Sequence, residues 1–460
     1  MAQATGAPKR KGILPVPLYG GRLDQRLRLT GDWGGARTNL AEHGVQVNVD
    51  WYQIYFGGVS GGVEPLDILP FDRARFALRA LTGGLSASEI LRSLRNEEED
   101  IEPNQEYTGA LDYTVLFDSG AMGLWQGGLL VLHGETLYGG YANTDTGALI
   151  PLQIRTAIPE TAYPITTLSH VIYTQYFSQK VNLQIGKLPT FGTMKLPFAS
   201  GPGISDFGNY ALQDNPMTSL MIPYTGWGAL LTVAPNPKLE LQLTAVDTEG
   251  DATRVGLDTV FEGKTTFAGS LRLRSSFFDK PGEHVFAGVY GSGSYFKTNE
   301  ILEINWGGVA TGLIAATPEG YGPQIIGVRK SSGTWIASYA GMQYVDYDAE
   351  SKRGTAIFTR VALADRDTNP IEGFVSFGLW GRGPFASRPR DEWGLGYFYA
   401  DVNDGIPERV LVGDGFGVEA FYKFMLTPSI DLTPSIQVVD PPRKNADTLW
   451  ALGARMNIRF

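Results

Sequence analysis

The sequence predicts an all-β chain folded as a sixteen-stranded antiparallel transmembrane β-barrel. Three observations carry this. Segments of about ten residues alternate apolar and polar side chains with period two, the mark of a strand with one apolar and one polar face. Their connections alternate between short turns and long Gly/Pro/Asp-rich loops, the layout of a barrel with turns at one rim and loops at the other. No stretch approaches the roughly 18–20 apolar residues that a membrane-spanning helix requires.

Composition agrees. Of 460 residues, 38 are Lys or Arg and 48 are Asp or Glu, so the net charge is −10. A sequence pI near 5.1 argues against a nucleic-acid partner, whose binding face would be basic. Cysteine is absent, which excludes disulfides, thiolate nucleophiles and zinc–thiolate or iron–sulfur centres. A hydrophobic fraction of 43% excludes wholesale disorder.

Residues 1–44 read as an N-terminal segment on the periplasmic side. Lys9, Arg10 and Lys11 are basic but precede no apolar run of useful length, so this is no intact secretory leader. The sequence alone leaves a cytoplasmic chain or a processed mature form. Gly31–His43, with Arg37, Leu40 and Glu42, predicts a short amphipathic helix before the first strand.

The barrel occupies 45–460. Its strands are Val45–Phe56, Tyr107–Asp118, Gly128–Tyr138, Thr167–Ser178, Val181–Lys187, Gly226–Ala234, Lys238–Asp247 and Thr266–Phe277. The second half comprises His284–Phe296, Thr334–Val345, Gly354–Ala364, Glu372–Trp380, Trp393–Asp401, Gly413–Leu426, Ile430–Val439 and Thr448–Phe460. In Lys238–Asp247, Leu239, Leu241, Leu243 and Ala245 oppose Glu240, Gln242 and Thr244; in Thr266–Phe277, Phe267, Leu271, Leu273 and Phe277 oppose Ser270, Arg272, Arg274 and Ser276. Turns such as Ala234–Pro237 and Thr427–Ser429 follow even strands, and long loops such as Leu188–Thr225 and Thr298–Gly333 follow odd ones. The even count puts both ends on the short-turn, periplasmic side. A soluble sandwich or propeller also alternates, but no blade repeat is seen. An aromatic C-terminus, Phe460 in line with Ile458 and Met456, suits an outer-membrane barrel.

Residues 64–106 interrupt the first two strands. Ser86–Asn96 reads as a helix opened by Ser86 and Glu89 in capping-box spacing, and the acidic run Glu97–Asp100 reads as a solvated loop rather than a calcium site.

Leu29-Thr30-Gly31-Asp32-Trp33-Gly34-Gly35-Ala36-Arg37-Thr38 resembles the opening signature of carbohydrate-selective porins of the OprB family. The resemblance continues through Gly57–Gly62, Tyr107–Asp112, Gly186-Lys187-Leu188, Asn215-Pro216, Arg390-Asp391 and the tail Glu419…Tyr422…Gln437…Arg455…Phe460, and so covers most of the chain in order. The inserted 64–106 segment departs from it, as a cap or as a plug in the lumen. The resemblance implies a channel in the bacterial outer membrane that passes small sugars such as glucose by passive diffusion, with no catalytic residues, cofactors or energy coupling. Its partners would be sugars and outer-membrane lipid, as a monomer or a homotrimer.

Such a pore needs side-chain hydrogen bonds and aromatic faces at a narrow point, with binding weak enough for exit. The loop Leu188–Thr225 is the candidate constriction, offering Lys195, Asp206, Asn209, Asp214 and Asn215 with Phe198 and Phe207 for stacking. From the wall come Glu240, Gln242, Arg272, Arg274 and Arg360, because an arginine facing lipid at the midplane costs about 2–4 kcal/mol. Arg73 and Arg75 join them only if the inserted segment enters the pore. Trp51, Tyr55, Tyr113, Trp227, Trp335, Trp393, Tyr397 and Tyr399 read as interfacial girdles. The four histidines, His43, His133, His170 and His284, show no metal-ligand spacing, and neither a Gly-x-Ser-x-Gly elbow nor a P-loop occurs. The alternatives are a general or anion-leaning diffusion pore, favoured by the inward arginines, and a non-conducting β-rich carbohydrate-binding protein.

Overall fold

The computed structural model describes residues 12–63, 105–140, 143, 146, 148–158, 164–192, 194–219, 221–257, 260, 263–305, 324–327, 329–407, 413–442 and 446–460. The predicted helix at Ser86–Asn96, Arg73 and Arg75 lie outside them.

Eighteen strands follow in chain order: β1 (Val45–Val63), β2 (Gln105–Asp118), β3 (Gly128–Gly139), β4 (Ile165–Tyr176), β5 (Val181–Pro189), β6 (Thr225–Asn236), β7 (Leu239–Asp247), β8 (Thr265–Phe277) and β9 (Lys280–Phe296). Then come β10 (Ile301–Asn305), β11 (Gln324–Gly327), β12 (Lys330–Asp348), β13 (Arg353–Ala364), β14 (Ile371–Arg382), β15 (Glu392–Val402), β16 (Gly415–Thr427), β17 (Ile430–Asp440) and β18 (Ala446–Arg459). All but β10 and β11 join one closed antiparallel barrel of sixteen strands, each paired with its neighbours in sequence. β10 and β11 pair with each other in the long loop after β9. All sixteen predicted strands are present. Among the described residues no helix is long and apolar enough to cross a membrane; the closed barrel satisfies its strands' backbone groups in a ladder without edges.

β1 closes on β18 from Asp50↔Arg459 to Val63↔Ala446, with register shifts between Gly58 and Gly62. This is why β1 runs past the predicted end at Phe56: the glycine run continues the ladder through bulges. At Gly61, with φ +74°, a Cβ would lie 2.1 Å from the Thr448 carbonyl oxygen. On the outer face, Leu243, Phe267, Tyr290, Val361 and Phe377 are exposed toward lipid, as are Tyr55, Tyr113 and Trp335 of the predicted girdles.

The N-terminal segment stitches the short-turn rim. Ile13 and Leu14 N–H donate to Asp118 Oδ2 at 2.5 and 2.8 Å, Arg28 pairs with Asp50 at 2.6 Å, and Leu29 N–H donates to the Arg459 carbonyl. A 3₁₀ turn at Trp33–Gly35 leads into helix α1 (Ala36–Glu42). From α1, Arg37 is buried and donates to the carbonyls of Val47 and Phe460 at 2.6 and 2.9 Å, beneath the Tyr19 and Trp33 rings. Asp32 Oδ1 accepts from the Thr38 N–H and hydroxyl at 2.8 and 2.7 Å, satisfying the first turn of α1. Asp32→Ala is therefore expected to cost about 1 kcal/mol, seen as a lowered urea midpoint of tryptophan fluorescence with the barrel otherwise intact.

The hydrophobic core lies inside the barrel. Leu149–Ile158 and Met194–Tyr224 fold inward and bury Leu152, Phe198, Phe207, Leu212 and Met217 against Phe358, Trp380, Phe398 and Phe421 of the wall. The inward loops thereby narrow the lumen; on the β7–β9 wall Val285, Val289 and Glu283 are buried as well, and the Arg274 side chain stays 43% exposed.

Candidate functional site

The inward loop 190–224 is fastened by groups reaching its backbone from the wall. Arg360 on β13 donates to the carbonyls of Leu212 (3.1 Å) and Ala199. Arg455 on β18 donates to the carbonyls of Gly203 (2.6 Å), Phe207 (3.3 Å) and Asp206. Glu419 on β16 accepts from the N–H groups of Gly208 and Asn209 at 2.7 and 2.8 Å. Asn209 Nδ2 donates to Gln437 Oε1 at 3.1 Å, while its Oδ1 accepts from the Ala211 N–H. Phe198 stacks on Trp380 at 4.7 Å and Phe207 meets Phe421 edge-on at 4.9 Å.

A second inward segment hangs on Arg155. Its guanidinium is buried between Asp112 on β2 at 2.5 Å and Glu135 on β3 at 3.4 Å. Burial alone would lower its pKa, but the two carboxylates outweigh that and hold it above the ordinary value. Tyr224, where the first loop returns to the wall, donates to the same Glu135 at 3.2 Å. One carboxylate thus receives both loops.

Across the lumen, β7, β8 and β9 carry a closed four-membered ion network. Arg272 lies 3.6 Å from Glu240 and also pairs with Glu283; Arg274 lies 3.2 Å from Glu240 and 3.5 Å from Glu283. Gln242 donates to Glu240 at 3.2 Å, and Arg272 donates to the Lys195 carbonyl at the loop tip at 2.9 Å. Register produces the cluster, since Glu240 faces Arg272 and Arg274 faces Glu283 across the ladder. Its charges balance, two against two. The Arg274 side chain is 43% exposed and that of Arg272 15%.

The predicted residues therefore separate into two groups. Glu240, Gln242, Arg272 and Arg274 come together on β7 and β8, and Lys195 is exposed at the loop tip. Arg360, Asp206, Asn209, Asp214, Asn215, Phe198 and Phe207, expected to face solute, are buried where the loop meets the wall or folds on itself. Asp214, for example, accepts the N–H of Gly192 at 2.6 Å, and burial raises its carboxyl above the ordinary range. The sequence reading quoted Glu419, Gln437 and Arg455 only as part of the family-like tail and did not single out Glu283, which shares its face of β9 with Val285, Ala287 and Val289.

It also missed a cross-strand set. His133 and Glu135 are two apart on β3 and share a face, and His133 pairs with His170 on β4 because a bulge at Ser169 re-aims His170 inward. The i, i+2 spacing of His133 and Glu135 was the available signal; the third member required the bulge.

Residues 104–460 match the family model described as carbohydrate-selective porin, OprB family. Porin B of Pseudomonas aeruginosa is 21% identical over 240 residues, covering 48% of this chain and 51% of that protein. The chain thus spans about half the length of this curated relative. The high-pH structure of Pseudomonas putida OprB has the same fold, with a TM-score of 0.70 at 16% identity over 94% of this chain and 98% of that one. Its low-pH structure gives 0.56 at 12% identity, over 95% and 99%. With the family match extending over well more than half of a closed sixteen-stranded barrel, this chain belongs to the carbohydrate-selective porins of the OprB family and is a β-barrel of the bacterial outer membrane.

Proposed function

We propose that the chain is a passive diffusion channel for small neutral sugars, a pore and not an enzyme. The observation that carries this is the charge-balanced network of Glu240, Glu283, Arg272 and Arg274 on β7–β9, of which the Arg274 side chain is 43% exposed, in a lumen narrowed by the fastened loops. A sugar offers hydroxyls that both donate and accept. Guanidinium N–H groups and carboxylate oxygens alternating along a wall match both roles without a net field that would draw one ion sign. Arg274 presents donors to the solute, and Arg272 holds the carboxylates and the loop tip in register. Each contact is exchanged against water, so binding stays weak and permits exit. One barrel encloses the whole path, so a monomer suffices for transport and a trimer would add no wall residue.

Liposome swelling tests the reading with glucose, a disaccharide, an uncharged amino acid and an organic anion of similar size. Fast swelling in glucose and slow swelling in the others is expected. Rates ordered by size alone would reduce the protein to a general pore, and fastest passage of the anion would favour the anion-leaning alternative. Arg274→Gln is expected to slow glucose swelling a few-fold and to shift the reversal potential toward cation preference, because Glu240 and Glu283 lose one of their two counter-charges. Unchanged glucose flux with altered ion selectivity would remove Arg274 from the sugar's path.

A further inference from the structure

Behind the constriction, where both inward loops meet the wall, His133, Glu135 and His170 converge so that one ligand atom from each lies within 4.8 Å of the others. The imidazoles of His133 and His170 stack at 5.1 Å, and Tyr224 packs edge-on against His170 at 5.4 Å. Glu135 is 2% exposed and His170 is 7% exposed. Within this group Glu135 Oε2 and His170 Nε2 are buried without a hydrogen-bond partner among the described residues. A buried acceptor or donor left unpaired costs about 1–3 kcal/mol. Here two occur in one cluster.

The remaining contacts leave those atoms free for a ligand. Arg155 and Tyr224 both approach Glu135 through Oε1, not Oε2. His133 Nδ1 lies 3.0 Å from the Thr114 hydroxyl; the tautomer that donates there leaves an Nε2 lone pair 4.0 Å from Glu135 Oε1. His170 Nδ1 lies 3.4 Å from the Ser169 hydroxyl, which leaves Nε2 as the unpartnered ring nitrogen. Asp112 and Glu135 share the single guanidinium of Arg155.

We propose that His133, Glu135 and His170 bind a divalent transition-metal ion of the zinc class. Two imidazoles and one carboxylate form a borderline-soft donor set that suits zinc, cobalt, nickel or copper. Calcium and magnesium require six or more oxygen-type ligands. Three protein ligands leave a fourth position for water, on the side of His133, which is the most exposed of the three. Tetrahedral bonds of about 2.0–2.1 Å set ligand–ligand edges of roughly 3.3 Å, so the site closes by rotation of the His133 ring toward the other two. Because Glu135 already receives Tyr224 from one loop and Arg155 from the other, an ion there would tie both loops to β3 and β4.

The test uses the untagged full chain in detergent, stripped with EDTA and titrated with cobalt(II). One equivalent should be taken up with the intense visible bands of four-coordinate cobalt, and zinc should displace it. His133→Gln and His170→Gln should each weaken binding at least about tenfold, with heat-modifiable mobility showing that the barrel still forms. His43→Gln, on the exposed end of α1, should leave the bands unchanged. Copper(II) electron paramagnetic resonance on the unaltered protein needs no variant and should show coupling to two imidazole nitrogens. Absence of bands, fewer than two coupled nitrogens, or full binding in the His133→Gln, His170→Gln double variant would overturn the proposal and leave the gap to a water. None of these readouts depends on sugar flux.

Discussion

Replacing Arg360 and Arg455 together by alanine is expected to raise single-channel conductance several-fold while the barrel remains folded. Their guanidinium donors are spent on carbonyls of Ala199, Leu212, Gly203, Asp206 and Phe207. These carbonyls lie deep between loop and wall, and removing the cations leaves them unpaired. Hydrogen bonds to a charged group contribute about 1.5–3 kcal/mol each, and losing a partner to a buried acceptor adds its desolvation. Removing Arg455 also takes away a positive charge that acts on the buried Glu419 carboxylate. Both losses fall on the loop's seat and none on the strand ladder, so the loop should swing free before the barrel opens. Planar-bilayer recording reads the conductance, and gel mobility with and without heating reads the barrel. Unchanged conductance would mean that Glu419, Gln437 and the Phe198–Trp380 and Phe207–Phe421 contacts hold the loop without the two arginines.

Arg155→Met should be the most destabilising single change in the second segment, by about 3–5 kcal/mol. It leaves Asp112 and Glu135 buried with no cation between them. The expected readout is a lowered thermal midpoint together with new protease cleavage within 143–158. Arg155→Lys should restore only part of the loss, since an ammonium is a point charge and cannot serve two carboxylates and the Ile158 carbonyl from fixed directions. Full rescue by lysine would show that charge alone matters there.

The barrel was legible because every strand has a lipid face and a lumen face, and that difference is written at period two. Boundaries slipped where another rule took over, as at Gly57–Gly62, where bulges extend β1 against β18. The identity of the constricting loop was legible from its length. The task of its side chains was not, because facing solute or facing wall depends on partners far away in sequence, such as Asn209 with Gln437. Arg272, Arg274 and Arg360 illustrate the limit. All three sit on polar strand faces, yet Arg360 is sealed by the loop while Arg274 stands in the opening. Nothing local to β8 or β13 records on which side of the lumen the loop settles. The grouping of His133, Glu135 and His170 likewise needed the bulge at Ser169 and the pairing of β3 with β4.

The wall grips the inward loop mainly by its backbone: Arg360 and Arg455 hold carbonyls, and Glu419 holds the N–H groups of Gly208 and Asn209. Such a grip is indifferent to what the held residues carry. Side chains at the loop's exposed tip, Lys195 first among them, can therefore be exchanged without moving the loop. A channel built this way keeps the bore of its pore and the chemistry of its pore as separate variables: the first is set by three buried charges on the wall, and the second can be rewritten one exposed position at a time.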